Sequence, residues 1–209
     1  MRIAGIILAG GQSRRMDGED KALLAFGDRR LIDHVYDRLS RQIDPIAINS
    51  NGDADRFANL KVPVISDNVH GFVGPLAGLH AGMEWAANHT LPFSHILSVA
   101  TDTPFFPDDL LAKLHHTILN AEDHIGVAAT GGRLHPTFGL WPISLRSDLR
   151  NWLSDPSNRR VTSWLQRHPH SVAEFPFLVT QTGDRFDPFF NINTPQDISA
   201  ARDQWKIAG

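Results

Sequence analysis

Residues 2–24 read RIAGIILAGGQSRRMDGEDKALL, and the change of character inside this stretch decides how the chain is built. Arg2 to Ala9 is nearly continuous apolar sequence, the pattern of a strand covered on both faces. It stops at Gly10 and Gly11, after which arginines, acids and Lys21 precede the return of apolar residues. Ile32, Val35, Tyr36 and Leu39 then recur at helical spacing, which completes a βα unit.

The same alternation continues outward. PIAIN (45–49) and VPVIS (62–66) read as short strands, GPLAGLHAGMEWAANH (74–89) as a helix, and HILSVATD (95–102) as a second buried strand. PDDLLAKLHHTILNA (107–121) opens with proline and two acids, the expected start of a helix. HIGVAAT (124–130) is another strand candidate. LRSDLRNWLSD and RRVTSWLQRH look helical, SVAEFPF extended, and PQDISAARDQW closes the chain as a helix. Such alternation predicts an α/β fold with a mostly parallel sheet and helices on both faces. Ligands in that architecture sit beyond the carboxyl ends of the strands, where the glycine pair falls.

Composition narrows the function. The chain has 209 residues, 42% hydrophobic and 21% charged, which suits one domain and argues against disorder or membrane residence. A net charge of −3 disfavours broad capture of nucleic acid, so any anion site must be local. With no cysteine there is no disulfide, thiolate nucleophile or cysteine-ligated zinc, which fits a reducing compartment. The N-terminus lacks a signal-peptide cleavage pattern, and the expected location is the cytoplasm.

Gly10 and Gly11 let backbone N–H groups approach a phosphate, with Arg14, Arg15 and Lys21 supplying charge; the plainer reading is a tight turn among solvated charges. The loop is neither G-x-x-x-x-G-K-[ST] nor G-x-G-x-x-G. Among the eleven histidines there is no H-E-x-x-H, and adjacent His115 and His116 cannot face one ligand from a helix.

LAGGQSRRMDGEDK (8–21) resembles the L-A-G-G-x-S-x-R-M-G-x-D-K signature of nucleotidyltransferases that join a nucleoside triphosphate to a phosphorylated acceptor. The double glycine, where cytidylyl relatives commonly read L-A-A-G, is similar to the molybdenum cofactor guanylyltransferases. GPLAGLHAGM (74–83), TDTPF (101–105), HPTFGLW (135–141) and NINTP (191–195) occur in that family's order. Asp17 before Gly18 departs from the pattern and is expected to face solvent, because an inward carboxylate would weaken a triphosphate site.

The resemblance implies a three-layer αβα, Rossmann-like nucleotidyltransferase fold. One domain over 1–209 would divide into a nucleotide-binding part (about 1–105) and an acceptor-binding part (about 106–209). It implies transfer of GMP from GTP to the terminal phosphate of molybdopterin, with or without molybdenum, and release of pyrophosphate. Arg15, Lys21 and Asp102 would be catalytic, with Asp102 also the Mg²⁺ ligand; aspartate is equally a good helix N-cap. The Leu8, Ala9 and Gly10 backbone, Asn49 and Asp67 would hold the nucleotide, although Asn49 and Asp67 also suit turns. Arg14 is a weaker candidate, since adjacent side chains rarely share a target. Asn191 and Asn193 would orient acceptor or metal, or else cap the last helix; Arg159 and Arg160 would meet the pterin phosphate, or else start a solvated helix. His135 matches a family string without an assigned role. Transient contact with cofactor-insertion proteins and molybdoenzymes is also implied, and neither nucleic acid nor membrane is an expected partner. The competing readings are a cytidylyl- or sugar-phosphate nucleotidyltransferase and a non-catalytic nucleotide-binding regulator.

Overall fold

The opening apolar run becomes β1 (Ile3–Leu8), third from one edge of a seven-stranded sheet. In the computed structural model, which describes residues 1–10, 21–69, 74–179, 183–194 and 196–200, the chain continues through α1 (Leu31–Ser40), β2 (Ile46–Asn49), β3 (Val64–Ile65) and α2 (Pro75–Ala87). It then forms β4 (His95–Ala100), α3 (Leu110–Thr117), β5 (Ile125–Thr130), β6 (Arg133–Pro142), α4 (Arg146–Trp152), α5 (Val161–Leu165) and β7 (His170–Phe175). The strand order is β3-β2-β1-β4-β6-β5-β7, and only β6 runs against the rest. The expected mostly parallel α/β sheet with helices on both faces is therefore what the chain forms.

Strand alternation divides the core into two layers. Ile7 points to the side holding Val35 and Leu39 of α1 and Leu110 and Leu114 of α3. Ile6 points to the side holding Leu79 and Met83 of α2, Leu149 of α4 and Trp164 of α5. Each such aliphatic side chain, fully buried, contributes roughly 1.5–3 kcal/mol. α2 approaches the sheet closely because it carries glycines one turn apart: a Cβ on Gly82 would lie 3.0 Å from Ile6 Cγ1, and one on Gly78 only 2.1 Å from Asn49 Oδ1.

The longest strand, β6, is not visible as a periodic run, because Pro136 interrupts it and proline cannot donate to a ladder. The register against β5 jumps from Val127↔Gly139 to Ala128↔His135, so residues 136–138 bulge out of the pairing and Pro136 loses no ladder bond. The bulge is secured from β4: Ser98 Oγ donates to the Thr137 carbonyl at 2.8 Å and accepts from Trp141 Nε1 at 2.8 Å. α3 starts later than its acidic prelude suggests. Its Leu111 N–H donates to Gln42 Oε1 at 3.0 Å, while Asp108 and Asp109 pair with Arg38 and Lys113.

Replacing Ser98 by alanine leaves the buried Trp141 N–H and the Thr137 carbonyl without their partner, a loss of about 1–3 kcal/mol. Urea unfolding of Ser98→Ala should show a lower midpoint at unchanged slope; an unaltered midpoint would contradict this account of the bulge.

Candidate functional site

The parallel register sets four strand ends in one row. Leu8 pairs with Asn49 on one side and with Ala100 on the other, and Asn49 pairs with Ile65. The residues that follow, Ala9 and Gly10, Ser50 and Asn51, Thr101 and Asp102, and Ser66 and Asp67, therefore emerge together at the carboxyl edge.

At the centre of this edge, Asn49 is 2% exposed. Its Nδ2 donates to the Ile65 carbonyl at 3.3 Å and to Asp67 Oδ1 at 2.9 Å. Both neighbours are acceptors, so the amide must turn its NH₂ toward them, and both amide hydrogens are consumed within the protein. Asn49 is left with Oδ1, an acceptor, lying between Gly78 and Gly10, whose hypothetical Cβ would touch it at 3.4 Å. Asp67 is gripped from its other side: Asn51 Nδ2 donates to Asp67 Oδ2 at 2.8 Å, and Asp67 N–H donates to Asn51 Oδ1 at 2.9 Å. Toward a ligand, Asn49 and Asp67 together offer hydrogen-bond acceptors.

Two of the backbone groups expected to meet the nucleotide are already bonded within the protein. Leu8's carbonyl accepts from Thr101 N–H and Thr101 Oγ1, both at 3.2 Å, and Ala9 N–H donates to the Asn49 carbonyl at 2.8 Å. These groups splice β1 to its neighbours.

Asp102 follows β4, eight residues before α3 begins at Leu110, so it is not that helix's N-cap. Its carbonyl accepts from Ile192 N–H at 2.7 Å, and its Oδ1 lies 3.3 Å from Thr103 Oγ1, which also meets Asn191 Oδ1 at 2.5 Å. Asn191 is thus brought beside Asp102 through Thr103. At the helical residues 196–200, Thr194 Oγ1 accepts from Asp197 N–H at 3.1 Å, while Asp197 Oδ2 accepts from Asn193 and Thr194 N–H at 2.8 Å each. That is a reciprocal capping arrangement.

No group of three or more His, Asp or Glu side chains among the described residues could hold a metal. Mg²⁺ does not need one, since it binds through one or two carboxylates plus phosphate oxygens and water. A single carboxylate at a strand end fits that donor set.

Lys21 opens a 3₁₀ turn, Lys21–Leu23, anchored by the buried Ala22. Its side chain, together with Gly11, Arg14, Arg15 and Asp17, lies outside the described residues. The Arg159 carbonyl lies 3.9 Å from where a Gly74 Cβ would stand, so the segment before α5 comes up to the start of α2. Arg159 Nε is spent on the Pro156 carbonyl at 3.0 Å, and Arg160 sits at the N-cap of α5.

His135 stacks on Phe189 at 4.4 Å between ring centroids, with Nε2 3.7 Å from Asp187 Oδ1. Burial lowers the pKa of His135, against the opposing pull of Asp187, and burial likewise lowers His80 and His95. All three are therefore neutral at pH 7. The unfolded chain takes up protons near pH 6.5 that these buried rings refuse, so stability is complete above that pH and declines as pH falls through the folded pKa values. The urea midpoint should fall between pH 7 and 5.5, and His95→Gln should flatten the decline; a midpoint constant over that interval would refute the assignment.

The family described as the MobA-like NTP transferase domain matches residues 5–172. A molybdenum cofactor guanylyltransferase from Mesorhizobium japonicum is 47% identical over 199 residues, covering 95% of this chain and 94% of the relative. One from Rhizobium leguminosarum bv. trifolii is 46% identical over 204 residues, covering 97% and 92%. The fold is similar to that of molybdopterin-guanine dinucleotide biosynthesis protein A from Archaeoglobus fulgidus, with a TM-score of 0.71 at 23% identity over 97% of this chain and 98% of that one.

Proposed function

Because the chain belongs to the molybdenum cofactor guanylyltransferases, within the MobA-like NTP transferases, we propose that its carboxyl-edge site binds GTP and transfers GMP to the terminal phosphate of molybdopterin. The observation that carries the base assignment is the donor count at Asn49. With both amide hydrogens given to Ile65 and Asp67, the residue can only accept, and its neighbour Asp67 is an acceptor too. Guanine presents N1–H and the 2-amino group along one edge, a donor surface that matches. The Ala9 carbonyl and Gly10 N–H extend the contact along the nucleotide.

The acceptor phosphate is already ionised, so the reaction needs no general base. An oxygen of that phosphate forms a bond to the α-phosphorus of GTP while the bond to the bridging oxygen of the β-phosphate breaks, and pyrophosphate departs with the electron pair. The protein's share is alignment and charge neutralisation. Lys21 and Arg15 offset the charge that collects on pyrophosphate, and Asp102 is the ligand for Mg²⁺, which when bound neutralises phosphate charge. Thr103 and Asn191 hold the Asp102 corner in place. Arg159, Arg160 and Asn193 belong to the acceptor side, which residues from about 106 onward supply.

Incubating the protein with Mg²⁺, molybdopterin and each nucleoside triphosphate in turn should give pyrophosphate with GTP. Pyrophosphate with CTP alone, or with none of the four, would overturn the assignment. Lys21→Ala and Asp102→Asn should each lower turnover by about 10²- to 10³-fold, the scale of losing one electrostatic stabiliser.

A further inference from the structure

We propose that His80 is a positioning residue for the nucleotide: from inside α2 it fixes Asn68 and thereby holds the adjacent Asp67 against Asn49. The inference rests on the reading above that Asn49 and Asp67 meet GTP.

The segment that carries Asp67 has little ladder to order it. β3 is two residues long and lies at the sheet edge, paired only with β2. Beyond Ile65 the chain is held instead by side chains from two directions. From the end of β2 and the loop after it come Asn49 and Asn51, which clasp the two carboxylate oxygens of Asp67. From α2 comes His80, 2% exposed, whose Nδ1 lies 2.8 Å from Asn68 Oδ1. The Asn68 carbonyl oxygen is an acceptor, so Nδ1 carries the ring hydrogen.

That single bond accounts for an otherwise costly choice of residue. Nε2 of His80 is buried without a hydrogen bond among the described residues and stands 3.6 Å from Glu84 Oε1, which is itself 3.3 Å from Arg146 Nε. A leucine would fill the space with no orphaned nitrogen. Burial keeps the ring neutral against the pull of Glu84 on the same helix, and Arg150 and Arg146 of α4 act in the same direction as burial. α2 therefore acts twice on one corner: Gly78 abuts the Asn49 amide, and His80 restrains the next loop.

Steady-state kinetics with GTP and molybdopterin, on chains checked by circular dichroism, test this. His80→Leu keeps bulk and removes the donor; it should raise KM for GTP on the order of tenfold and leave kcat and KM for molybdopterin within about twofold. His80→Asn, whose amide N–H replaces Nδ1–H, should restore most of the loss. Asn68→Ala, at an exposed position, should reproduce the defect even if His80→Leu does not fold, and the double variant should be no worse than either single one. Unchanged KM for GTP in both single variants, or a fall in kcat alone, would overturn the proposal. If Asp67→Ala loses GTP affinity while His80→Leu and Asn68→Ala do not, this inference fails alone. If Asp67→Ala and Asn49→Ala also bind GTP normally, the reading of the site fails with it.

Discussion

The amide of Asn49 is the joint on which the carboxyl edge depends. Its register beside Leu8 comes from the parallel pairing of β1 and β2, and its space comes from the missing side chain of Gly78, where any Cβ would overlap its oxygen. Its orientation comes from two acceptors that claim both of its hydrogens. Backbone pairing, helix packing and side-chain chemistry thus converge on one group, and together they decide that the edge offers acceptors to a ligand.

The same economy holds at the other end of the row. Thr101 closes on the Leu8 carbonyl through both its N–H and its hydroxyl, while the strand end carrying Asp102 is tied to a segment nearly ninety residues later by the Ile192 N–H and by Thr103 and Asn191. Residues from the last part of the chain therefore complete the corner that β4 begins. Three of the seven strands, β5, β6 and β7, lie between them in sequence.

How much of this was legible depends on range. β1 and β4 stand out because both faces are covered and the sequence is apolar throughout; α2 stands out because it is small and apolar all round. β6 was hidden because a bulge around Pro136 breaks the alternation, and its partners, Ser98 among them, lie some forty residues away. At the site, Asn49, Asp67 and Asp102 could be picked as polar residues just past strands, aided by the family likeness. The Asn49 donor count, the role of Asn51 in holding Asp67, and the contacts of Asn68 with His80 could not, since each is a pairing across 12 to 18 positions that no local pattern announces. Asp109, not Asp102, sits at the N-cap of α3, and Thr194 and Asp197 bond reciprocally at the start of helical residues 196–200, pairings that the local sequence does not distinguish from their neighbours.

The central claim is that guanine lies against the acceptors of Asn49 and Asp67 with a divalent cation at Asp102. The most direct test is a crystal structure with a non-hydrolysable GTP analogue and Mn²⁺, in which the anomalous signal locates the metal. The account predicts the metal within coordination distance of the Asp102 carboxylate and the N1–H edge of guanine within about 3 Å of Asn49 Oδ1 or the Asp67 carboxylate. A metal held away from Asp102, or a base bound with its N1–H edge turned from Asn49 and Asp67, would contradict it.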